Sequence, residues 1–352
     1  MAAVSNVGLV RTNNEDSIIV NPDLTAKDWN APSDSESVIS LGEKGCVMIV
    51  ADGMGGMNAG EVASAIAIST ISAAFDSLED YSKVTDTHGH IESFMKKAIV
   101  TADSDIKKKV KEDPSTEGMG TTVVMAWILN GYVHVAWCGD SRAYLFNKQA
   151  GLSRLSRDHS YVQQLVDSGK LDPELAFDHP NSNIITRSLG DSNVVAQPEY
   201  VSKKLSAGDI VLLCSDGLCG LVRDEEMLDL LKEGFDNLGE CLEALLKAAF
   251  EAGGHDNVSI ALFECVSMEE SELERTLSAT VEPKKKSKSR RWIIILILLA
   301  LGLVCAKLSG CFDNSNCPFN KETEQPAEIN DSIPQNDTLF VDSEAEILQN
   351  NQ

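Results

Sequence analysis

Basic side chains are scarce in this sequence. The 352-residue chain carries 30 lysines and arginines against 54 aspartates and glutamates, a formal net charge of -24. A surface this acidic repels a phosphate backbone, which excludes a general nucleic-acid binder. Metal-site cysteine spacing is also missing. Of the nine cysteines, Cys46, Cys138, Cys214, Cys219, Cys241 and Cys265 sit in apolar runs, and none pairs at the spacing of a zinc site. Cys214 and Cys219 stand too far apart for a C-x-x-C redox motif. Cys311 and Cys317 bracket a short polar loop late in the chain and make a disulfide only if that side is oxidising. The first eleven residues lack the apolar core behind a positive stretch that marks a secretory leader, so the N-terminal domain is expected to stay in the cytoplasm. No internal repeat is visible.

What is present divides the chain near residue 267. Residues 1–266 alternate strand-like and helix-like stretches, and residues 267–291 form a polar, then basic linker. The basic part holds Lys284, Lys285, Lys286, Lys288, Arg290 and Arg291. A charge-free apolar run from 292 to 306 follows, extending to 312 if Lys307 snorkels to the far interface. Spanning a bilayer takes roughly 20 residues, so 292–312 is expected to be a transmembrane helix, with Trp292 at the near interface. The basic cluster places the first domain inside by the positive-inside rule and the acidic tail, 313–352, outside. That tail has few large apolar residues and is expected to be disordered.

Within the first domain, strands are expected at 17–20, 47–51, 121–129, 132–138, 143–147, 210–214 and 258–265. Asn130-Gly131 between two β-rich runs predicts a tight antiparallel hairpin. The continuously apolar runs 47–50 and 211–214 read as central strands covered on both faces. Helices are expected at 58–78, 91–111, 160–168, 225–232 and 238–252. The last repeats Leu238, Cys241, Leu242, Leu245, Leu246 and Ala249 on one face, behind a capping pair of Asn237 and Glu240. Helices fall in pairs between groups of strands. The expected fold is therefore α+β, two antiparallel sheets between pairs of helices, and not a doubly wound parallel sheet.

Three aspartates share one context. Asp52 follows an apolar strand and opens Asp52-Gly53-Met54-Gly55-Gly56; Asp216 follows another and opens Asp216-Gly217; Asp256 precedes Asn257 and a third strand. A carboxylate at the end of a buried strand is held rigidly while the backbone turns away beside a glycine. Several such oxygens, brought together, suit hard divalent cations. Taken singly, each Asp-Gly is equally well a turn. The glycine-rich loop lacks the Lys-Ser/Thr that a nucleotide loop would carry.

In order along the chain stand Gly8, Arg11 and Asn14-Glu15-Asp16; Asp52-Gly53-Met54-Gly55-Gly56; Gly118-Met119-Gly120-Thr121-Thr122; Gly139-Asp140-Ser141-Arg142; Arg187, Leu189 and Gly190; Ser215-Asp216-Gly217-Leu218; and Asp256-Asn257. This ordered set, covering about residues 5–265, resembles the metal-dependent protein phosphatases of type 2C in their bacterial form. The resemblance implies two antiparallel sheets flanked by helices, and hydrolysis of phosphoserine and phosphothreonine in proteins. It further implies two Mn²⁺ or Mg²⁺ ions bridged by Asp52, with the Gly53 carbonyl as a further ligand and Asp216 and Asp256 on one ion. Glu15 and Asp16 would orient metal-bound waters, and Arg11 would hold the substrate phosphate. No C-x5-R signature of a cysteine phosphatase occurs.

Met54 occupies the position where eukaryotic members carry a histidine. The third metal of bacterial relatives uses an aspartate just before the Gly-Met-Gly-Thr-Thr motif, where the nearest carboxylate here is Glu117. Asp140 and Arg142 are expected to be structural, as a buried pair, and His159 and His255 to be surface or structural residues. Residues 161–186 correspond to the variable flap of the family, and 26–45 form an extra loop. The expected partners are phosphoproteins, among them a Ser/Thr kinase and its substrates, and a membrane. Two other readings stay open: a membrane-anchored pseudophosphatase that only binds, and a hydrolase of small phosphate esters.

Overall fold

From Cys46 to Ala51 every residue is apolar, so no face of that strand is marked as wet. In the computed structural model, which describes residues 1–29, 41–55 and 59–267, this strand is buried throughout. Cys46, Met48 and Val50 point into one core while Val47, Ile49 and Ala51 point into another. The described residues all belong to the compact unit Met1–Glu270.

Along the chain the strands are β1 (Ala2–Asn6), β2 (Ser17–Asn21), β3 (Cys46–Ala51), β4 (Gly53–Met54), β5 (Gly120–Thr121), β6 (Val123–Leu129), β7 (Tyr132–Cys138), β8 (Arg142–Asn147), β9 (Gly151–Arg154), β10 (Glu199–Lys204), β11 (Ile210–Cys214) and β12 (Val258–Glu264). The helices are α1 (Gly60–Asp76), α2 (Tyr81–Thr85), α3 (His88–Glu112), α4 (Tyr161–Asp167), α5 (Asp216–Cys219), α6 (Asp224–Glu233) and α7 (Leu238–Glu251). One five-stranded sheet has the order β1-β12-β11-β8-β9, the other β10-β7-β6-β3-β2, and β4 pairs with β5 in a short separate ladder. Every pairing is antiparallel. The fold is thus α+β with antiparallel sheets, as expected.

Three apolar layers hold it together. Met48, Val124, Trp137, Leu213 and Phe263 fill the space between the sheets. Phe75 of α1, with Phe94 of α3 and Trp127 of β6 edge-on at 5.0 and 5.2 Å, anchors the layer under α1 and α3. Under α6 and α7 lie Tyr144, Leu212 and Ile260. The expected apolar face of α7 is buried except at Leu246, which packs only partly. At its start Asn237 Oδ1 accepts from the Glu240 amide at 2.9 Å, and the Glu240 carboxylate accepts from the Asn237 side-chain amide at 3.3 Å. Asn130 and Gly131 both have positive φ, 51° and 75°, and set Leu129 opposite Tyr132 in the predicted hairpin.

Several boundaries differ from the sequence expectation. The strand expected over 121–129 is broken at Thr122, whose backbone amide bonds to Asp52 instead of continuing the ladder. The helix expected from 91 begins at His88, because Thr87 Oγ1 caps it by accepting from the His90 amide at 3.2 Å. β1, β9 and β10 were not expected; each lies at a sheet edge, where one uncovered side weakens the apolar pattern. Asn58, the linker beyond Ser267, the expected span 292–312 and the tail 313–352 with Cys311 and Cys317 lie outside the described residues. Among the described residues no helix is long and apolar enough to cross a membrane.

Candidate metal centre

Strand register gathers the acidic residues. Ser17 lies opposite Ala51, so Asp16, just before β2, and Asp52, just after β3, share one end of their sheet. Cys214 lies opposite both Ile260 and Arg142. Asp216, Asp256 and Asp140 therefore share one end of the other sheet. In an antiparallel ladder, one strand's exit is its neighbour's entry.

Backbone contacts then fix the loops. Thr121 Oγ1 donates to the Asp52 carbonyl at 2.8 Å, as does the Thr122 amide at 2.9 Å. Asn257 joins chain segments far apart in sequence. Its side-chain amide donates to the Val7 and Asn13 carbonyls at 3.0 and 2.9 Å, and its Oδ1 accepts from the Glu15 amide at 2.8 Å. Two glycines permit the close approach. A Cβ on Gly53 would lie 2.3 Å from the Gly60 carbonyl oxygen, and one on Gly217 would lie 2.0 Å from that of Asn257.

The carboxylates crowd one another. Asp52 is pushed well above the usual carboxylate range by burial, and then by the charges of Asp216, Asp16 and Asp140. Asp216 beside it is itself raised, chiefly by burial and next by Asp256. Burial pushes Asp16 up to about 7, although the Ser259 and Ser215 hydroxyls oppose this, Ser215 Oγ donating at 2.8 Å. Asp140 is pushed up to about 8 by burial and then by Asp216 and Asp158. Burial also raises Glu15. Arg11 stands half-exposed at the rim, its Nη2 donating to Asp256 at 2.7 Å, a bond that raises its own pKa.

The sequence-predicted residues Arg11, Glu15, Asp16, Asp52, Gly53, Asp216 and Asp256 are thus brought together. Beside them opens a cleft of about 490 Å³, lined by Asp140, Asp216 and Asp256 on one side and by flap residues such as Glu174, Phe177 and Ser182 on the other. Among the described residues no three His, Cys, Asp or Glu side chains already stand in coordinating geometry. Asp256 pairs with Arg11 instead. The donor set still fits hard divalent cations, because burial and mutual repulsion raise Asp16, Asp52 and Asp216, while the Arg11 guanidinium pairs with Asp256 at the rim.

The family profile described as Protein phosphatase 2C matches residues 31–251. The chain belongs to the protein phosphatase 2C family. Serine/threonine protein phosphatase PstP of Mycobacterium tuberculosis is 33% identical over 280 residues, 80% of this chain and 48% of that protein, so this chain spans about half of that relative's length. Serine/threonine phosphatase stp of Listeria innocua is 35% identical over 66% of this chain and 89% of its own length. Among solved structures, the catalytic domain of serine threonine protein phosphatase PstP in complex with 2 manganese ions superimposes with a TM-score of 0.58 at 32% identity, covering 74% of this chain and 95% of that one.

One expectation needs correction. Asp140 and Arg142 do not pair. Arg142 donates to Asp158 from Nη2 at 2.7 Å and from Nε at 3.0 and 3.1 Å, and nothing local in the sequence announces a partner sixteen residues on. His159 is structural: buried, stacked on Trp137, with Nδ1 accepting from the Gly139 amide at 3.1 Å. His255 is exposed. Glu117 is exposed at the end of a short turn and is not among the residues lining the cleft.

Proposed function

We propose that this chain hydrolyses phosphoserine and phosphothreonine in proteins at a centre holding two divalent cations, Mn²⁺ or Mg²⁺. The observation that carries the reading is the convergence of Asp16, Asp52, Asp216 and Asp256 beside the rim cation Arg11, in a chain of this family. Asp52, central among the carboxylates, would hold both ions, with the Gly53 carbonyl as a further ligand; Asp216 and Asp256 would hold one of them. When bound, the cations supply a nucleophile from water at neutral pH and offset charge on the phosphoryl oxygens. Asp16, kept in place by Ser215, and Glu15, fixed through Asn257, orient the attacking water. Arg11 leaves Asp256 to grip the substrate phosphate with two donors. Met54 has no proton to give a leaving group, so that proton comes from elsewhere.

The run 292–312, preceded by its basic cluster, supports a single membrane anchor with the catalytic unit in the cytoplasm and the tail outside. Such an enzyme opposes a Ser/Thr kinase. Protease added to intact cells then trims the tail and spares residues 1–266; loss of the first domain overturns this topology.

The full chain, solubilised in detergent, is assayed on a phosphothreonine peptide with Mn²⁺ and with chelator. Activity is expected only with metal, and robust turnover in chelator overturns the mechanism. Turnover of p-nitrophenyl phosphate with none of the peptide favours the small-ester reading, and no turnover of either favours a binding protein. Arg11→Ala is expected to lower kcat/KM about 10–100-fold, the worth of a charge-assisted hydrogen bond.

Metal and pH act together on stability. Asp16 and Asp140 have folded-state pKa values of about 7 and 8, above the roughly 3.9 of a free aspartate. Their contribution is complete below about pH 4 and is lost as pH rises through the folded values, so the metal-free fold weakens toward pH 8. Mn²⁺ at about 100 times its Kd adds about 2.7 kcal/mol per site. Thermal unfolding near neutral pH is then expected to shift by ~5–10 °C for one site. The shift is larger at pH 8 than at pH 5; an equal shift at both overturns this assignment.

A further inference from the structure

Leu9 and Val10 stand immediately before Arg11 and are each 62% exposed. Exposed apolar side chains are ordinary, and Val194, Val195 and Val266 are others. Leu9 and Val10 differ in where they stand and in how firmly their backbone is held. The Leu9 amide donates to the Gly254 carbonyl at 2.8 Å, and the Gly8 amide donates to Asn6 Oδ1 at 3.0 Å. Asn257 clamps the segment on both sides, through the carbonyls of Val7 and Asn13. Gly8 turns with a φ of 78°, and a Cβ there would lie 2.1 Å from the Asp256 carbonyl oxygen. The Leu9 side chain lies over Gly254, where a Cβ would stand 2.8 Å from Leu9 Cγ.

This frame sets a rigid apolar step at the edge of the cleft. His255 and Asp256, which follow Gly254, line the cleft, and Asp256 accepts from Arg11 at 2.7 Å. A phosphorylated side chain that reaches Arg11 and the carboxylates leaves its own main chain outside, along the rim. An extended peptide advances about 3.4 Å per residue, and neighbouring Cα atoms in the step itself are about 3.8 Å apart. Side chains next to the phosphorylated residue, or one position further on, therefore come within reach of Leu9 and Val10. An aliphatic side chain there releases water from the step. An acidic one gains nothing from it and meets a chain whose net charge is -24. Because the step is already ordered, little entropy is lost when it is covered.

We propose that Leu9 and Val10 determine specificity by receiving an aliphatic side chain that flanks the phosphorylated serine or threonine of a protein substrate. The proposal rests on the phosphoprotein reading above and names the sequence context that the site favours. A small phosphate ester carries no such side chain, so the step acts on peptides alone.

The test assays the full chain, in detergent with Mn²⁺, on phosphothreonine peptides. Leucine is placed in turn next to the phosphothreonine, or one position further on, on either side; the reference peptide has glycine at all these positions. The unmodified chain is expected to favour a leucine peptide by roughly 5–20-fold in kcat/KM, below the worth of a fully buried leucine because the step is open on one side. Leu9→Gln and Val10→Gln should each bring that ratio toward one, while Leu9→Met keeps it. Val266→Gln, beyond the far end of β12, keeps it too. The readout compares two peptides on one enzyme, so a smaller active fraction in a variant cancels. Equal turnover of leucine and glycine peptides by the unmodified chain overturns the assignment and leaves the phosphatase reading intact. A leucine preference that survives undiminished in both glutamine variants does the same. Absence of turnover of every peptide by the unmodified chain sinks both.

Discussion

Asp52→Asn is expected to lower kcat/KM on a phosphothreonine peptide by at least ~10³-fold, equivalent to about 4 kcal/mol of lost transition-state stabilisation. Asp52 is the carboxylate on which the charges of Asp216, Asp16 and Asp140 all act, so under the proposed two-cation centre no neighbour would replace it. The same substitution is expected to stabilise the metal-free fold, since the amide removes a buried charge that three neighbours repel. Kinetics alone do not separate a lost ligand from a damaged fold. Unfolding in chelator does: Tm should rise or hold while the Mn²⁺-induced gain disappears. Activity within tenfold of the unmodified chain would remove Asp52 from the centre of the mechanism.

Arg142→Leu acts on the fold itself. Its guanidinium is largely buried and serves Asp158 with three short contacts and the Tyr144 hydroxyl with one at 3.0 Å. Tyr144 in turn donates to Asp224 at 2.8 Å. Among the described residues, removing the arginine leaves Asp158, 10% exposed, with Arg154 at 3.4 Å as its remaining ion-pair partner. Breaking a buried pair by deleting one partner costs about 3–5 kcal/mol, so Tm is expected to fall by roughly 10–15 °C. The double change Arg142→Leu with Asp158→Leu should recover much of that loss, because the stranded charge is gone. A double variant as unstable as the sum of the singles would show that packing, and not the ion pair, sets the effect.

The architecture was largely legible from pattern. Apolar runs such as 47–51 announced strands wet on neither side, and the spacing of Leu238, Cys241, Leu242 and Leu245 announced a helix face. The edge strands β1 and β10 escaped, since a half-covered strand carries half the signal. The site was legible only as separate pieces. Each Asp-Gly stood alone as a turn, and only ordered motifs suggested that they belonged together. What joins them is register, with Ser17 opposite Ala51 and Cys214 opposite Ile260. Register depends on contacts between residues tens to hundreds of positions apart. Asp140 was misread for the same reason: the nearest basic residue in sequence was assumed to be its partner, while the fold had given that arginine to Asp158.

The bonds from Asn257 to Val7, Asn13 and Glu15 reach across 250, 244 and 242 positions. On the ribosome, Arg11, Glu15, Asp16 and Asp52 emerge long before Asp216, Asp256 and Asn257. No nascent fragment ending before Asp256 holds every residue of the candidate centre, and β12, which begins two residues later, lies between β1 and β11 in their sheet. The candidate centre is therefore complete only once Asp256 and β12 have been made, and a translation product interrupted before them is expected to be inactive.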